Sequence, residues 1–221
     1  MPVDVLLQFA GKKAKLVGLD ADDHITKVIQ KTGTFYEIEL LTEIFHRAMP
    51  DWVFVDAGAH VGNHTVFFGA ILGLQGYAVE QDSGTYARLS GNIAANDLTD
   101  RVRPINAAVG RDFARASGIG ESAQHNSGTR MVQLDRDGDV QVIPLDSLQL
   151  KRLDLLKVDV EGFEVACMKG AAITIMRHKP LIIAEAINRQ NFDDLVTCLE
   201  PLGYRPTRRY NVTPTYLFEA G

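Results

Sequence analysis

The segment Val53-Phe54-Val55-Asp56-Ala57-Gly58-Ala59-His60-Val61-Gly62-Asn63 constrains the fold more than any other part of the chain. A β-branched apolar run ends on an acid and passes at once into two glycines four positions apart. A helical pattern follows, and a second short apolar run, Tyr77-Ala78-Val79, closes on Glu80. That order reads as a buried strand, a tight turn, a helix and a second strand, the opening unit of a nucleoside-binding α/β fold.

The alternation continues. Strands are expected at 3–9, 14–19, 52–56, 77–80, 102–106, 154–159 and 181–185. Helices are expected at 22–30, 36–48, 63–72, 84–96 and about 163–177. Apolar strands separated by helical patterns imply a mostly parallel central sheet with helices on both faces. Residues 111–139, rich in Gly, Asp, Ser and Arg, break this rhythm and read as a long functional loop. The stretch from Arg205 to Ala220 reads as a C-terminal antiparallel hairpin at the sheet edge.

A length of 221 residues suits a single domain: a core over 51–221 with residues 1–50 packed on it as an extension of strand hairpin and short helices. A net charge of −5 gives no long-range attraction for a polyanion, so nucleic acid is not an expected partner. There is no run of about 18 apolar residues to span a bilayer, so no membrane partner is expected either. Cys167 and Cys198 read as free thiols of a reducing compartment. With no basic, apolar leader after Met1-Pro2-Val3-Asp4, the expected location is the cytoplasm.

The glycine loop discriminates between cofactors. Against the dinucleotide pattern G-x-G-x-x-G, His60 stands where the second glycine should admit a pyrophosphate, and Asn63 stands where the third should allow helix packing. Asp56 adds a negative charge where an anion would sit. The same acid suits S-adenosylmethionine, which carries a sulfonium and an ammonium and no phosphate. Glu80 at the next strand end suits ribose hydroxyls, and the small residues of Asn106-Ala107-Ala108-Val109-Gly110 leave room for an adenine ring.

Over roughly Gly33 to Ala186 the chain resembles the FkbM-type family of S-adenosylmethionine-dependent methyltransferases. The resemblance rests on Thr34-Phe35-Tyr36-Glu37, the glycine loop, Val79-Glu80-Gln81-Asp82, and Ile143-Pro144-Leu145-Asp146-Ser147-Leu148. Its most specific part is Leu156-Lys157-Val158-Asp159-Val160-Glu161-Gly162-Phe163-Glu164, followed by Lys169-Gly170-Ala171 and Pro180-Leu181-Ile182-Ile183-Ala184-Glu185. The resemblance implies a Rossmann-like class I methyltransferase fold and methylation of a hydroxyl oxygen on a sugar, glycoside or natural product. It also implies that Asp56, Gly58, Ala59, His60, Gly62 and Asn63 contact the methionine end of the cofactor. Glu80 would hold the ribose, with Gln81, Asn106, Ala107 and Ala108 near the adenosine. Gln81-Asp82 departs from the Pro-Asn or Pro-Ser that often follows the ribose acid in the family.

Asp159 and Glu161 follow a strand end on the same sheet edge as Asp56 and Glu80. If the extended geometry persists, residues two apart share a face, and both carboxylates turn into the cleft. Asp159 is expected to fix the cofactor or a bound cation, and Glu161 to act as general base. The plainer reading of Glu161 and Glu164 is that they cap the following helix. Glu185 either lines the acceptor pocket or pairs with Arg189. His125, within 111–139, is an alternative base. A zinc site through His60 and His64 lacks a third ligand, and a divalent cation at Asp159 is compatible with the residues without being required. The expected partner is a small hydroxylated acceptor, carbohydrate among the options. Two other classes stay open: a non-catalytic cofactor-binding or interaction protein of the same fold, and an NAD-dependent oxidoreductase.

Overall fold

The structure, a computed structural model, describes residues 2–119 and 131–221. The chain opens with the antiparallel pair β1 (Pro2–Phe9) and β2 (Lys12–Asp20), joined through Ala10 and Gly11, both in the left-handed region. Next comes α1 (His24–Thr32), whose first turn is capped by the Asp23 carboxylate accepting the Thr26 N–H at 3.2 Å. It ends on left-handed Gly33 and leads to α2 (Ile38–Arg47). The alternation then follows as β3 (Val53–Ala57), α3 (Asn63–Val66), β4 (Gln75–Glu80), α4 (Ser83–Ala95) and β5 (Val102–Asn106). A smaller sheet comprises β6 (Ala108–Val109), β7 (Ala114–Ile119), β8 (Met131–Leu134) and β9 (Val140–Ile143). The chain closes with β10 (Leu155–Val158), α5 (Glu164–Gly170), α6 (Ala172–His178), β11 (Leu181–Glu185), α7 (Arg189–Leu199), β12 (Tyr204–Tyr210) and β13 (Thr215–Ala220).

The main sheet has seven strands in the order β12-β13-β11-β10-β3-β4-β5. The pairs β11–β10, β10–β3, β3–β4 and β4–β5 are parallel, while β13 runs antiparallel to both its neighbours. This is the Rossmann-like class I architecture, with the C-terminal hairpin at the edge as expected. The chain order reverses between β3 and β10, and the carboxyl ends of those strands frame a crevice where open α/β sheets hold ligands.

One hydrophobic cluster joins Leu7, Leu16, Ile29 and Phe35 of the first fifty residues to Phe54, Phe67 and Phe68 behind the sheet. Asn92 of α4 and Asn96 at its C-terminal cap close the edge of β2: Asn92 accepts the Val17 N–H at 2.6 Å and Asn96 exchanges two bonds with the Lys15 backbone. Among the described residues no helix is long and apolar enough to cross a membrane.

Three expectations are corrected and one element is added. Residues 111–139 are not one irregular loop: β7 and β8 pair antiparallel within them, and β7 also pairs with β9. The helix expected over 63–72 is α-helical for one turn and continues as a π-helical turn through Ile71. The helix expected near 163–177 is two helices, because the Asp146 carboxylate accepts the N–H groups of Ile173 (3.1 Å) and Thr174 (2.8 Å) and starts α6 afresh. Finally, α7, capped by the Asn188 side chain on the Asn191 N–H, occupies a stretch assigned no element from the sequence.

Candidate functional site

A cleft of about 310 Å³ opens where the carboxyl ends of β3, β4, β10 and β11 converge, with walls from His24, Tyr36, Glu80, Ala107, Asp159 and Glu185, among others. The turn after β3 forms its floor. Gly58 (φ 79°) and His60 (φ 50°) both take left-handed backbone, and the N–H groups of Gly58 and Ala59 donate to Val79 O at 3.0 Å. Glycine is required at 58: a Cβ there would stand 1.7 Å from the Asp159 carbonyl oxygen.

On the β4 side, Glu80 is buried and its carboxylate is fixed by main chain. The His60 N–H donates to Oε2 at 2.9 Å and the Asp82 N–H donates to Oε1 at 2.8 Å. Burial raises its pKa, and those two N–H bonds oppose the shift. Asn106 donates from Nδ2 to the carbonyls of Glu80 (2.8 Å) and Gln81 (3.1 Å), tying β5 to this strand end. Gln81, Ala107 and Ala108 line the cleft beside Val109.

The β10 side is different. Three carboxylates, Asp159, Glu161 and Glu185, bring oxygens within 4.8 Å of one another. Below them lies Lys157, buried in β10, with Nζ 3.3 Å from Asp159 Oδ2 and 3.3 Å from Asp56 Oδ1. Burial opposes the ionised form of Asp159, but the Lys157 ammonium and the His64 ring outweigh it and hold the carboxyl below the ordinary range. About a third of the Asp159 side chain (35%) faces the cleft. Glu161 is pushed up to about 7 by burial and then by Asp159 and Glu164. Glu185 is pushed up to about 9 by burial and then by Asp159 and Glu161, and shares a side-chain hydrogen bond with Asp159.

Extended geometry does not bring Asp159 and Glu161 together. β10 ends at Val158, and Glu161 (φ 51°) and Gly162 (φ 97°) are left-handed. A tight turn places both on the cleft. Neither Glu161 nor Glu164 caps the helix: α5 has no side-chain cap bond, and Glu164 instead braces the preceding turn, accepting the Val160 and Gly162 N–H groups at 3.1 and 3.0 Å. Arg189 pairs with Asp193, so Glu185 is left to the cleft wall. His64 pairs with Glu37 at 3.1 Å, and among the described residues it joins no metal-like cluster with His60.

Several expected cofactor contacts fall behind the surface of the cleft. Asp56 is fully buried beneath the loop, accepting the Thr65 hydroxyl at 2.6 Å and facing Lys157. Ala59 packs into the core, and Gly62 backs onto Leu89. Asn63 is turned the other way: its side chain accepts the Tyr36 N–H at 3.0 Å and donates to Tyr36 O at 3.1 Å. His125 lies outside the described residues.

That Asn63 clasp reveals residues that sequence reasoning left without a role. Tyr36 and Glu37, with His24 and Ile25, also line the cleft. Glu37 (φ 58°) is held there by His64 and by the Asn211 amide at 2.6 Å. Lys157 had a legible signal, being the single charge within Leu155-Leu156-Lys157-Val158. Tyr36, though part of a motif that carries the resemblance, had no legible role, because its partner is Asn63 at the start of α3, 27 residues along the chain.

Residues 56–206, well over half of the chain, match the family model described as the methyltransferase FkbM domain. Among solved structures, the chain is similar to a methyltransferase FkbM from Methylobacillus flagellatus, at 18% identity and a TM-score of 0.58. That alignment covers 77% of this chain and 44% of the other, so this chain spans less than half of that relative's length. It is similar also to a precorrin-6y C5,15-methyltransferase from Geobacter metallireducens (15% identity, TM-score 0.55, covering 83% and 87% of the two chains). The N-terminal domain of human METTL16 is a third likeness (12% identity, TM-score 0.54, covering 97% and 86%). At these identities the structural likeness is one of fold. No curated protein matches the sequence. The family match, on a class I sheet with its cleft at the switch point, places the chain in the FkbM family of S-adenosylmethionine-dependent methyltransferases.

Proposed function

We propose that the chain methylates a hydroxyl oxygen of a small acceptor, a sugar, glycoside or natural-product alcohol, using S-adenosylmethionine and releasing S-adenosylhomocysteine. The charge of the cleft carries this reading. Glu37, Glu80, Asp82, Asp159, Glu161 and Glu185 line it, and among the described residues no lysine or arginine does. Such walls suit a ligand with an ammonium and a sulfonium, and they repel the pyrophosphate of a dinucleotide. The NAD reading is the weaker for it.

When bound, the donor supplies a methyl group already activated for in-line displacement, so placement is much of the protein's task. Glu80, pre-oriented by two N–H bonds, retains lone pairs for the ribose hydroxyls. Ala107, Ala108 and Val109 form a small-residue wall against which an adenine can lie. Gly58 and His60 hold the main chain close to the methionine portion, with Asp56, Gly62 and Asn63 as the frame behind them. Asp159, ionised beside Lys157, faces the cationic end. Glu161, titrating near neutrality, takes the acceptor's proton. Glu185, protonated at neutral pH, donates to Asp159 and leaves Glu161 as the free base. A divalent cation is compatible with this reading: Asp159, Glu161 and Glu185 would hold it, and it would favour the ionised form of the acceptor hydroxyl. The free thiols of Cys167 and Cys198 fit a reducing, cytoplasmic setting.

Calorimetry with S-adenosylhomocysteine and NAD, followed by labelled methyl transfer to a panel of polyols and glycosides, tests the proposal. The expected result is binding of the first ligand alone and label in an ether linkage. Binding without transfer to any hydroxyl would favour the non-catalytic interaction protein, and binding of NAD would overturn the donor assignment.

A further inference from the structure

Lys157 is a full charge inside a strand whose other residues, Leu155, Leu156 and Val158, are completely buried. An ammonium in that setting persists only if its donors are satisfied and its charge is met. Lys157 Nζ donates to the Gly58 carbonyl at 2.8 Å, and stands 3.3 Å from both Asp56 Oδ1 and Asp159 Oδ2. The register explains the first acid, since Lys157 lies beside Asp56 on the adjacent parallel strand. A buried ion pair would be complete with Asp56 alone. The contact with Gly58 reaches the loop that forms the cleft floor, and the contact with Asp159 reaches a carboxylate on the cleft surface.

We propose that Lys157 is a positioning residue: from beneath the sheet edge it locks the Gly58 carbonyl and the Asp159 carboxylate into one geometry, so that the donor loop and the acid facing it act as a unit. The inference rests on the donor occupying this cleft. Asp159 otherwise sits among acids: Glu161 and Glu185 lie beside it, Glu37 reaches toward the same ammonium from the α2 side, and Glu80 stands on β4. Lys157 is the donor that joins Asp159 to the Gly58 loop. Without it the carboxylate has no buried ammonium to fix its direction, and the loop and the acid are no longer tied to one point. The cleft then loses an aligned charge complementary to a cation while its shape is retained.

The test compares S-adenosylmethionine, whose sulfonium is charged, with S-adenosylhomocysteine, whose sulfur is neutral, by calorimetry on the full chain at one fixed pH. Lys157→Met keeps the aliphatic stem but leaves Asp56 buried without a counter-charge. The double variant Lys157→Met with Asp56→Asn removes that burden, leaves the net charge unchanged and still deprives Asp159 and the Gly58 carbonyl of their shared donor. In the double variant the ratio of the two affinities should fall about tenfold against the charged ligand. A merely structural loss would weaken both ligands alike and leave the ratio in place. An unchanged ratio in the folded double variant overturns the role of Lys157 while the donor assignment stands. If the unaltered protein binds neither compound, the donor assignment fails and the inference falls with it.

Discussion

Glu80 on the β4 side of the cleft and Glu185 on the β11 side are both carboxyls whose pKa burial raises, yet they differ in what surrounds them. Glu80 is met by two main-chain N–H groups, which favour the charged form and fix its orientation. Glu185 is met by two further acids, which favour the proton. One wall therefore holds a fixed acceptor and the other a set of proton-sharing groups. Recognition calls for the first, because the donor's ribose is the same in every turnover. Proton removal calls for the second, because a base must change its charge during the reaction.

The contrast breaks most visibly at Glu161. Glu161→Gln should lower the rate of methyl transfer by about 10²–10⁴-fold, the usual scale of a lost general base, with little change in S-adenosylhomocysteine binding. Near-normal turnover would move the base elsewhere on that wall. Glu80→Ala should act in the opposite sense, weakening cofactor binding by about 1.5–3 kcal/mol, the scale of charged hydrogen bonds, which calorimetry reads directly. An unchanged dissociation constant would show that the β4 wall does not hold the ribose.

The smallest effect is expected from Glu185→Gln, read as stability against pH. A carboxyl whose folded pKa lies near 9, well above its unfolded value, costs nothing in acid, where both states are protonated. As pH rises above the unfolded pKa, only the unfolded state releases its proton, so the folded state loses ground until pH passes the folded pKa. The glutamine amide can still donate to Asp159 and carries no such penalty. The variant's melting temperature should therefore gain on that of the unaltered protein as pH rises from about 5 to 9. A difference independent of pH would mean that Glu185 is not held protonated.

The sequence was informative wherever a local pattern has one physical solution. The run Val53–Val55 before Asp56 and the glycines is a strand entering a turn, since apolar β-branched residues favour a buried strand and glycine takes the left-handed backbone that follows. Glu80 at a strand end was legible for the same reason, and so was the acid block at 159–161. The strands within 111–139 were hidden, because a partly exposed strand of mixed Ala, Arg, Ser and Gly carries no strong alternation. The break at Ala171 was hidden too, because its cause is a carboxylate at Asp146, far from the helix in sequence.

By itself, then, the sequence determined the parallel α/β architecture and the edge of the sheet where the cleft lies, since both follow from periodicity and strand ends, and its motifs carried the resemblance to the family. Only the tertiary structure decided which side of each motif faces the cleft. Asp56 and Asn63 face inward, one to Lys157 and Thr65 and the other to Tyr36, because a loop this tight must satisfy its own buried polar groups before it can present any to a ligand. Tyr36 and His24, by contrast, reach the site through contacts that no spacing along the chain encodes.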